Sequence, residues 1–183
     1  GMKLDFDTGG QVSIAMFDCL DETLTVFEKT EPNGGGTESS AAPGNLFTVN
    51  EDCEKLEDDK SVEFHNIVAK TLCATKRARP DTCASVAFST TKVREPDEDD
   101  WKKMAHLVRC MRGTRDMPLV LSANGSHILK WWVDASYAVH PAMGSHTGGT
   151  MSMGTGAAYS TSKKQKLNTK SSTEAELVGV DDV

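Results

Sequence analysis

An α/β chain is what this sequence predicts, on three observations. A short apolar alternation opens it, helix-spaced apolar residues dominate positions 62–116, and strand-like runs follow from 117 onward. The order gives four parts: a β-hairpin plus helix over 1–29, a flexible acidic linker over 30–61, a helical segment over 62–116, and a sheet-bearing segment over 117–183.

The opening hairpin rests on Met2, Leu4 and Phe6, which alternate with polar residues, as do Val12, Ile14 and Met16. Asp7-Thr8-Gly9-Gly10 between them is a turn signal. Phe17, Leu20, Leu24 and Phe27 then line one helix face. From Thr30 to Asn45 the chain is rich in Gly, Ser, Pro and Thr, and Gly34 to Gly36 mark it as flexible, with no fixed fold expected through most of it. Phe64, Ile67, Val68 and Leu72 predict a helix that ends near Lys76-Arg77-Ala78-Arg79-Pro80. Asp81 is placed to cap a second helix that buries Val86 and Phe88. The clearest helix buries Trp101, Met104, Leu107, Val108 and Met111. Asp97 to Asp100 complement its N-terminal dipole, Arg109 and Arg112 its C-terminal one, and Gly113 stops it.

The period then shortens. Pro118 to Leu121 and Ile128 to Val133 flank Ser122-Ala123-Asn124-Gly125-Ser126, and Asn-Gly between apolar runs predicts a hairpin. Further strands are expected at Gly148 to Met153 and Ala157 to Ser162. Ser171-Ser172-Thr173-Glu174 reads as a capping box that opens a last helix.

Composition sets limits. Hydrophobic residues make up 38% and charged residues 26%, which excludes a disordered chain. No apolar run reaches the about 18 residues of a membrane span, and the N-terminus lacks a signal peptide's apolar core, so an intracellular chain is the default. The five cysteines form no CxxC pair, which argues against a zinc site and for free thiols. Net charge is −7, but between Pro32 and Glu63 eight acids face two lysines, and the rest is close to neutral. Gly34 to Gly36 lack the following Lys-Ser or Lys-Thr of a phosphate-binding loop. His140 and His146 fall in an expected loop near Ser145 and Ser152, without a nucleophile elbow.

Two acids stand out. Asp134 closes the apolar run Ile128 to Val133, although such an acid also reads as a strand leaving the core. Glu176 lies in the first turn of the last helix, where the dipole favours its charge, and stabilising that helix start is the plainer reading. Together they are able to bring two carboxylates to one point, as Mg²⁺ binding by oxygen requires. Two-metal phosphodiester cleavage usually needs more than two acids. Lys163, Lys164, Lys166 and Lys170 lie between them in the chain, a strip suited to nucleic-acid phosphates or simply to solvent.

Val133-Asp134-Ala135-Ser136-Tyr137-Ala138 resembles the first catalytic strand of the RNase H domain in copia-type retrotransposon polyproteins. Ser145-His146-Thr147-Gly148-Gly149, Ser162-Lys163-Lys164-Gln165 and Lys170 to Leu177 resemble that family's later motifs, in its order. Upstream, Phe64 to Lys70, Lys76 to Asp81 and Arg112-Gly113-Thr114 resemble the segment between reverse transcriptase and RNase H. Gly1 to Phe6 is similar to the late palm hairpin.

The resemblance implies the end of a reverse transcriptase, a connection segment and the N-terminal part of an RNase H-like mixed sheet. It implies Mg²⁺-dependent cleavage of RNA in RNA–DNA hybrids for the parent protein. Asp134 and Glu176 would be its catalytic and metal-binding acids, and Lys163, Lys164, Lys166 and Lys170 its nucleic-acid contacts. The polymerase's paired aspartates match nothing here, and the third RNase H acid would lie beyond Val183, so the fragment itself is expected to be inactive and to hold Mg²⁺ weakly. Pro141 to Gly144 and Cys73 depart from the family pattern. The implied partners are an RNA–DNA hybrid or DNA, and the implied setting is a cytoplasmic virus-like particle or the nucleus. Two rival readings remain. One is a non-catalytic nucleic-acid-binding or assembly module that packs on missing polyprotein parts or self-associates, with Trp101, Trp131 and Trp132 as apolar area. The other is an unselected relic reading frame.

Overall fold

In the computed structural model, residues 1–32, 34–37 and 39–183 are described; Asn33 and Glu38 of the expected linker lie outside the described residues. In chain order come β1 (Lys3–Phe6), β2 (Gln11–Ala15), α1 (Phe17–Thr30) and α2 (Asp58–Thr75). A 3₁₀ turn (Pro80–Thr82) leads to α3 (Cys83–Thr90) and α4 (Glu98–Gly113). Then follow β3 (Leu119–Ala123), β4 (Lys130–His140), a 3₁₀ turn (Pro141–Met143), β5 (Gly144–Ser152), β6 (Gly154–Thr155), β7 (Tyr159–Lys164) and α5 (Ser172–Asp182). The class is mixed α/β, with two antiparallel sheets ordered β1-β2-β3-β6 and β4-β5-β7. None of the described helices is long and apolar enough to cross a membrane.

The chain divides into two units: Gly1–Lys3 with Ala15–Met117, and Leu4–Ile14 with Pro118–Val183. The expected 1–29 part is therefore shared out, because β2 pairs with the distant β3, Gln11 opposite Ser122 and Ile14 opposite Leu119, while α1 packs with the other helices.

The helical unit has an apolar core. Phe27, Phe64, Ile67, Val68, Trp101, Met104 and Val108 are buried together, and the Phe27 and Trp101 rings stack at 6.4 Å. A neighbouring cluster joins Leu20, Val86, Leu107 and Met111. Every apolar residue expected on the α4 face is buried. Asp97 caps α4 by accepting from Asp99 N (2.9 Å) and Asp100 N (2.8 Å), and Asp100 returns the bond to Asp97 N. Trp101, expected as part of an exposed assembly surface, is only 3% exposed inside its own unit and offers no such area. Asp81 does not cap α3. Its carboxylate instead takes the fully buried Arg79 guanidinium in a two-bond fork at 2.9 and 2.8 Å.

α1 takes the first residue of the expected linker and α2 its last four, Asp58 to Ser61; the described residues between have no helix or strand, yet they are fastened. Ala41, Leu46 and Leu56 are buried. Ser85 Oγ donates to Ala41 O at 2.7 Å, Thr37 N to Arg109 O at 3.0 Å, and Lys103 Nζ to Thr48 O. Gly36 and Gly113 meet backbone to backbone: a Cβ on Gly113 would lie 2.2 Å from Thr37 O, and one on Gly36 would lie 2.8 Å from Gly113 N. Of the three glycines that looked like flexibility, Gly36 serves close approach, while Gly35 faces open space.

In the other unit the Asn-Gly turn makes no hairpin. Asn124 Oδ1 accepts from Ser126 N and Oγ, and Gly125 (φ 71°) and His127 (φ 56°) take left-handed backbone. β3 and β4 then enter different sheets. The turn chemistry was right, but β3 finds its partners in β2 and β6. β4 also runs on past Val133 to His140, so Asp134 is mid-strand and not at a strand end. His140 and His146 lie in strands, not in a loop.

Gly113→Ala is expected to force the Thr37 carbonyl away, at a cost of about 1–3 kcal/mol, and to release the segment around 36–42. Limited proteolysis checks this: cleavage between Thr37 and Asn45 should accelerate in the variant and not in an Ala substitution at the unhindered Gly44.

Candidate functional site

The candidate site lies on the β4-β5-β7 sheet and α5. Along β4, side chains alternate between faces. Gly179 of α5 sits over Ala135 Cβ, Val133 Cγ1 and Thr147 Cγ2, its ideal Cβ 3.4–3.8 Å from each. Val133 and Ala135 thus define the helix-covered face, and Asp134 belongs to the opposite, open face, where it is exposed. Glu176 reaches the strand from the helix side. Its Oε1 accepts from Ala135 N at 3.4 Å, one residue from Asp134. The two acids therefore flank the same stretch of β4 edge from the two sides of the sheet. Among the described residues no group of three or more His, Cys, Asp or Glu is placed to hold a metal ion.

α5 begins at Ser171 as the sequence suggested, but Glu174 takes the N–H of Lys170 where a capping box would take that of Ser171. Ser171 Oγ accepts from Glu174 N, and Glu174 Oε2 accepts from Lys170 N at 2.6 Å. Glu174 is spent on the cap, which leaves Glu176 for the strand. Asp182, at the far end, pairs with Lys163 Nζ at 3.3 Å and accepts from Thr147 Oγ1 at 3.2 Å.

The four lysines do not form one strip. Lys163 pairs across the sheet with Thr147 and faces α5, whereas Lys164 pairs with His146 and faces the other way, its Cε 2.6 Å from where a Cβ on Gly144 would stand. Adjacent strand residues point to opposite faces, so Lys163 and Lys164 cannot contact one phosphate backbone together. Lys166 and Lys170 lie beyond the strand and are exposed.

The motif residues of the resemblance meet in the interior. Buried Gln165 donates through Nε2 to Thr147 Oγ1 (3.0 Å) and to Ala175 O (2.8 Å), and its Oε1 has no partner among the described residues. Ser145 Oγ shares a hydrogen bond with Thr169 Oγ1 at 3.0 Å and accepts from Ala138 N.

The open face holds a feature that sequence reasoning set aside. His140 Nε2 lies 2.9 Å from His146 Nδ1, and His146 Nε2 lies 2.7 Å from Ser162 Oγ. Both rings are buried. Burial and the neighbouring imidazole push His146 down from its ordinary 6.5 to about 4. The i, i+6 spacing across Pro141 was the available signal, since a tight β4-β5 turn brings such residues together. All five cysteines carry free thiols, and burial raises those of Cys19, Cys83 and Cys110, away from nucleophilic use.

Compared with models of known protein families, with curated proteins and with solved structures, the chain matches none.

The His146 shift fixes a sign. The folded group binds its proton less readily than the unfolded one, so stability is full above about pH 6.5 and is lost as pH falls toward 4, on the order of 3 kcal/mol in all. Urea midpoints read from β5 amide signals should therefore fall between pH 7 and pH 4.5, and His146→Gln should flatten that part of the fall.

Proposed function

We propose that the chain is part of a copia-type reverse transcriptase and RNase H polyprotein, and that its C-terminal unit derives from a Mg²⁺-dependent nuclease acting on RNA–DNA hybrids. The observation that favours the proposal is the bond from Ala135 N to Glu176 Oε1, which brings the helix-start glutamate to the residue next to Asp134, from the opposite face of the strand. The donor chemistry supports it: two carboxylates offer hard oxygen ligands of the kind Mg²⁺ prefers. When bound, that ion would polarise a phosphodiester and its attacking water.

Because Asp134 and Glu176 start from opposite faces, an ion that both would hold has its place outside the edge of β4, beside Ala135. With no third acid gathered near by among the described residues, Mg²⁺ would be held weakly, and the chain alone does not cleave. Lys166 and Lys170, exposed between β7 and α5, would meet phosphates, while Lys163 is spent on Asp182. The setting is then that of the element's own nucleic acid, in a cytoplasmic particle or the nucleus.

Paramagnetic Mn²⁺ supplies the test. Titrated into the full chain, it should broaden amide signals at Asp134, Ala135 and Glu176 first, and Asp134→Asn should remove the effect. Broadening that begins elsewhere, or survives that substitution, overturns the metal assignment. Robust cleavage of an RNA–DNA hybrid by the chain alone overturns the claim of inactivity.

A further inference from the structure

We propose that Cys19 and Cys73 form an oxidative modification site, at which a small peroxide converts the two thiols into a disulfide that staples α1 to α2. Three observations carry this. All lie within the helical unit, and none depends on the metal reading.

The first is helix register. Polar contacts fix how α1 and α2 run past each other. Lys70 Nζ donates to Glu22 Oε2 at 2.7 Å, and Thr30 Oγ1 donates to Glu63 Oε2. Forward along α1 from Glu22 to Thr30 is thus backward along α2 from Lys70 to Glu63, so the two helices are antiparallel. In the other direction, three residues back from Glu22 and three on from Lys70, the register sets Cys19 against Cys73. Residues three apart share a helix face, so both thiols keep to the faces that already meet.

The second is contact. Cys19 Sγ donates to Lys70 O at 3.6 Å. That carbonyl points along α2 toward its C-terminal end. Cys73, one turn further on, leans its side chain back toward the same place. Burial raises the Cys19 thiol, and the Cys73 thiol adds to the rise through its charge and a hydrogen bond. The two sulfurs are neighbours, and neither residue is fully buried.

The third is a difference between the two thiols. Arg77 NH1 donates to Cys73 Sγ at 3.2 Å and to Cys73 O at 3.3 Å. A guanidinium held at sulfur is the setting of an oxidant-reactive cysteine. Cys19, which holds its proton more tightly, is the poorer first target and takes the second step. In the first step Cys73 sulfur attacks one peroxide oxygen. The S–O bond forms, the O–O bond breaks, and the departing hydroxide leaves as water with the Cys73 proton. In the second, Cys19 Sγ attacks the Cys73 sulfenic sulfur. The S–S bond forms, the S–O bond breaks, and hydroxide leaves as a second water with the Cys19 proton. The two sulfurs give up two electrons in all, and the peroxide accepts both. Because Cys19 is in place before Cys73 is oxidised, the disulfide forms ahead of the irreversible acids.

The test uses the full chain, reduced, then treated with a small molar excess of hydrogen peroxide at neutral pH. Remaining thiols are alkylated and the chain is digested with trypsin without reductant. Cleavage at Lys and Arg puts each of the five cysteines on a different peptide, so mass spectrometry names every link. The Cys19–Cys73 link should dominate in the folded chain and disappear with dithiothreitol. In urea the chain is governed by loop closure alone, and the pair nearest in sequence, Cys73 and Cys83, should take over. The oxidised chain should also unfold at higher urea than the reduced one, because the link restricts the unfolded chain. Cys19→Ser and Cys73→Ser should each lose that rise, and Cys83→Ser should keep it. A different dominant link in the folded chain, no link, or an unchanged urea midpoint overturns the proposal. So does a Cys19–Cys73 link that forms as readily in urea as in the folded chain.

Discussion

The buried amide of Gln165 is the constraint on which the C-terminal unit depends. Its two N–H groups join the end of β7 to Thr147 on β5 and to Ala175 in α5. Apolar burial alone does not hold that helix, since Ala175 and Gly179 are buried while Leu177 and Val180 are each about two thirds exposed. The rest of the attachment is polar: Thr147 to Asp182, Lys163 to Asp182, and Ala135 to Glu176. Each such bond contributes about 0.5–1.5 kcal/mol net, whereas stranding the buried Gln165 partners costs about 1–3 kcal/mol. The asymmetry makes Gln165 the bond whose loss frees the helix, and with it the position of Glu176.

The helical unit is built on the opposite principle. Phe27, Phe64, Trp101 and Met104 exclude water completely or nearly so, and polar groups serve ends and edges. Arg79 is the most deeply buried of the charged exceptions, which include Lys103. It is buried whole and balanced by Asp81 and by Thr114, whose carbonyl and hydroxyl it reaches at 3.2 and 2.7 Å. That network anchors the turn before α3 to the turn after α4, so the basic turn expected at the end of α2 contributes a structural tie.

What the sequence made legible was local. The α4 face, its Asp97 cap and the Ser171 helix start follow from spacing and capping chemistry, which operate within one or two turns. What it hid was pairing at a distance. Asn124-Gly125 specifies a reversal but not which strands the flanking runs join, and the β2–β3 ladder spans more than a hundred residues. Gly36 and Gly113 fit each other across the unit, and neither shows this alone. The opposite facing of Lys163 and Lys164 was available from strand alternation once β7 was placed at Tyr159–Lys164. The His140–His146 contact needed the β4-β5 turn, where Ala138, Ala142 and Met143 take left-handed backbone that no propensity would favour.

Asp134 and Glu176 approach one stretch of strand from opposite faces. Asp134 leaves β4 on the open face and is exposed, whereas Glu176 comes from α5 and accepts from Ala135 N at 3.4 Å. Glu176 thereby takes up the backbone donor next to Asp134 and brings its own charge to the strand. Where that charge stands depends on α5, whose attachment runs through Thr147, Ala175 and Lys163. The bond from Ala135 to Glu176 is therefore placed by the helix that Gln165 holds down.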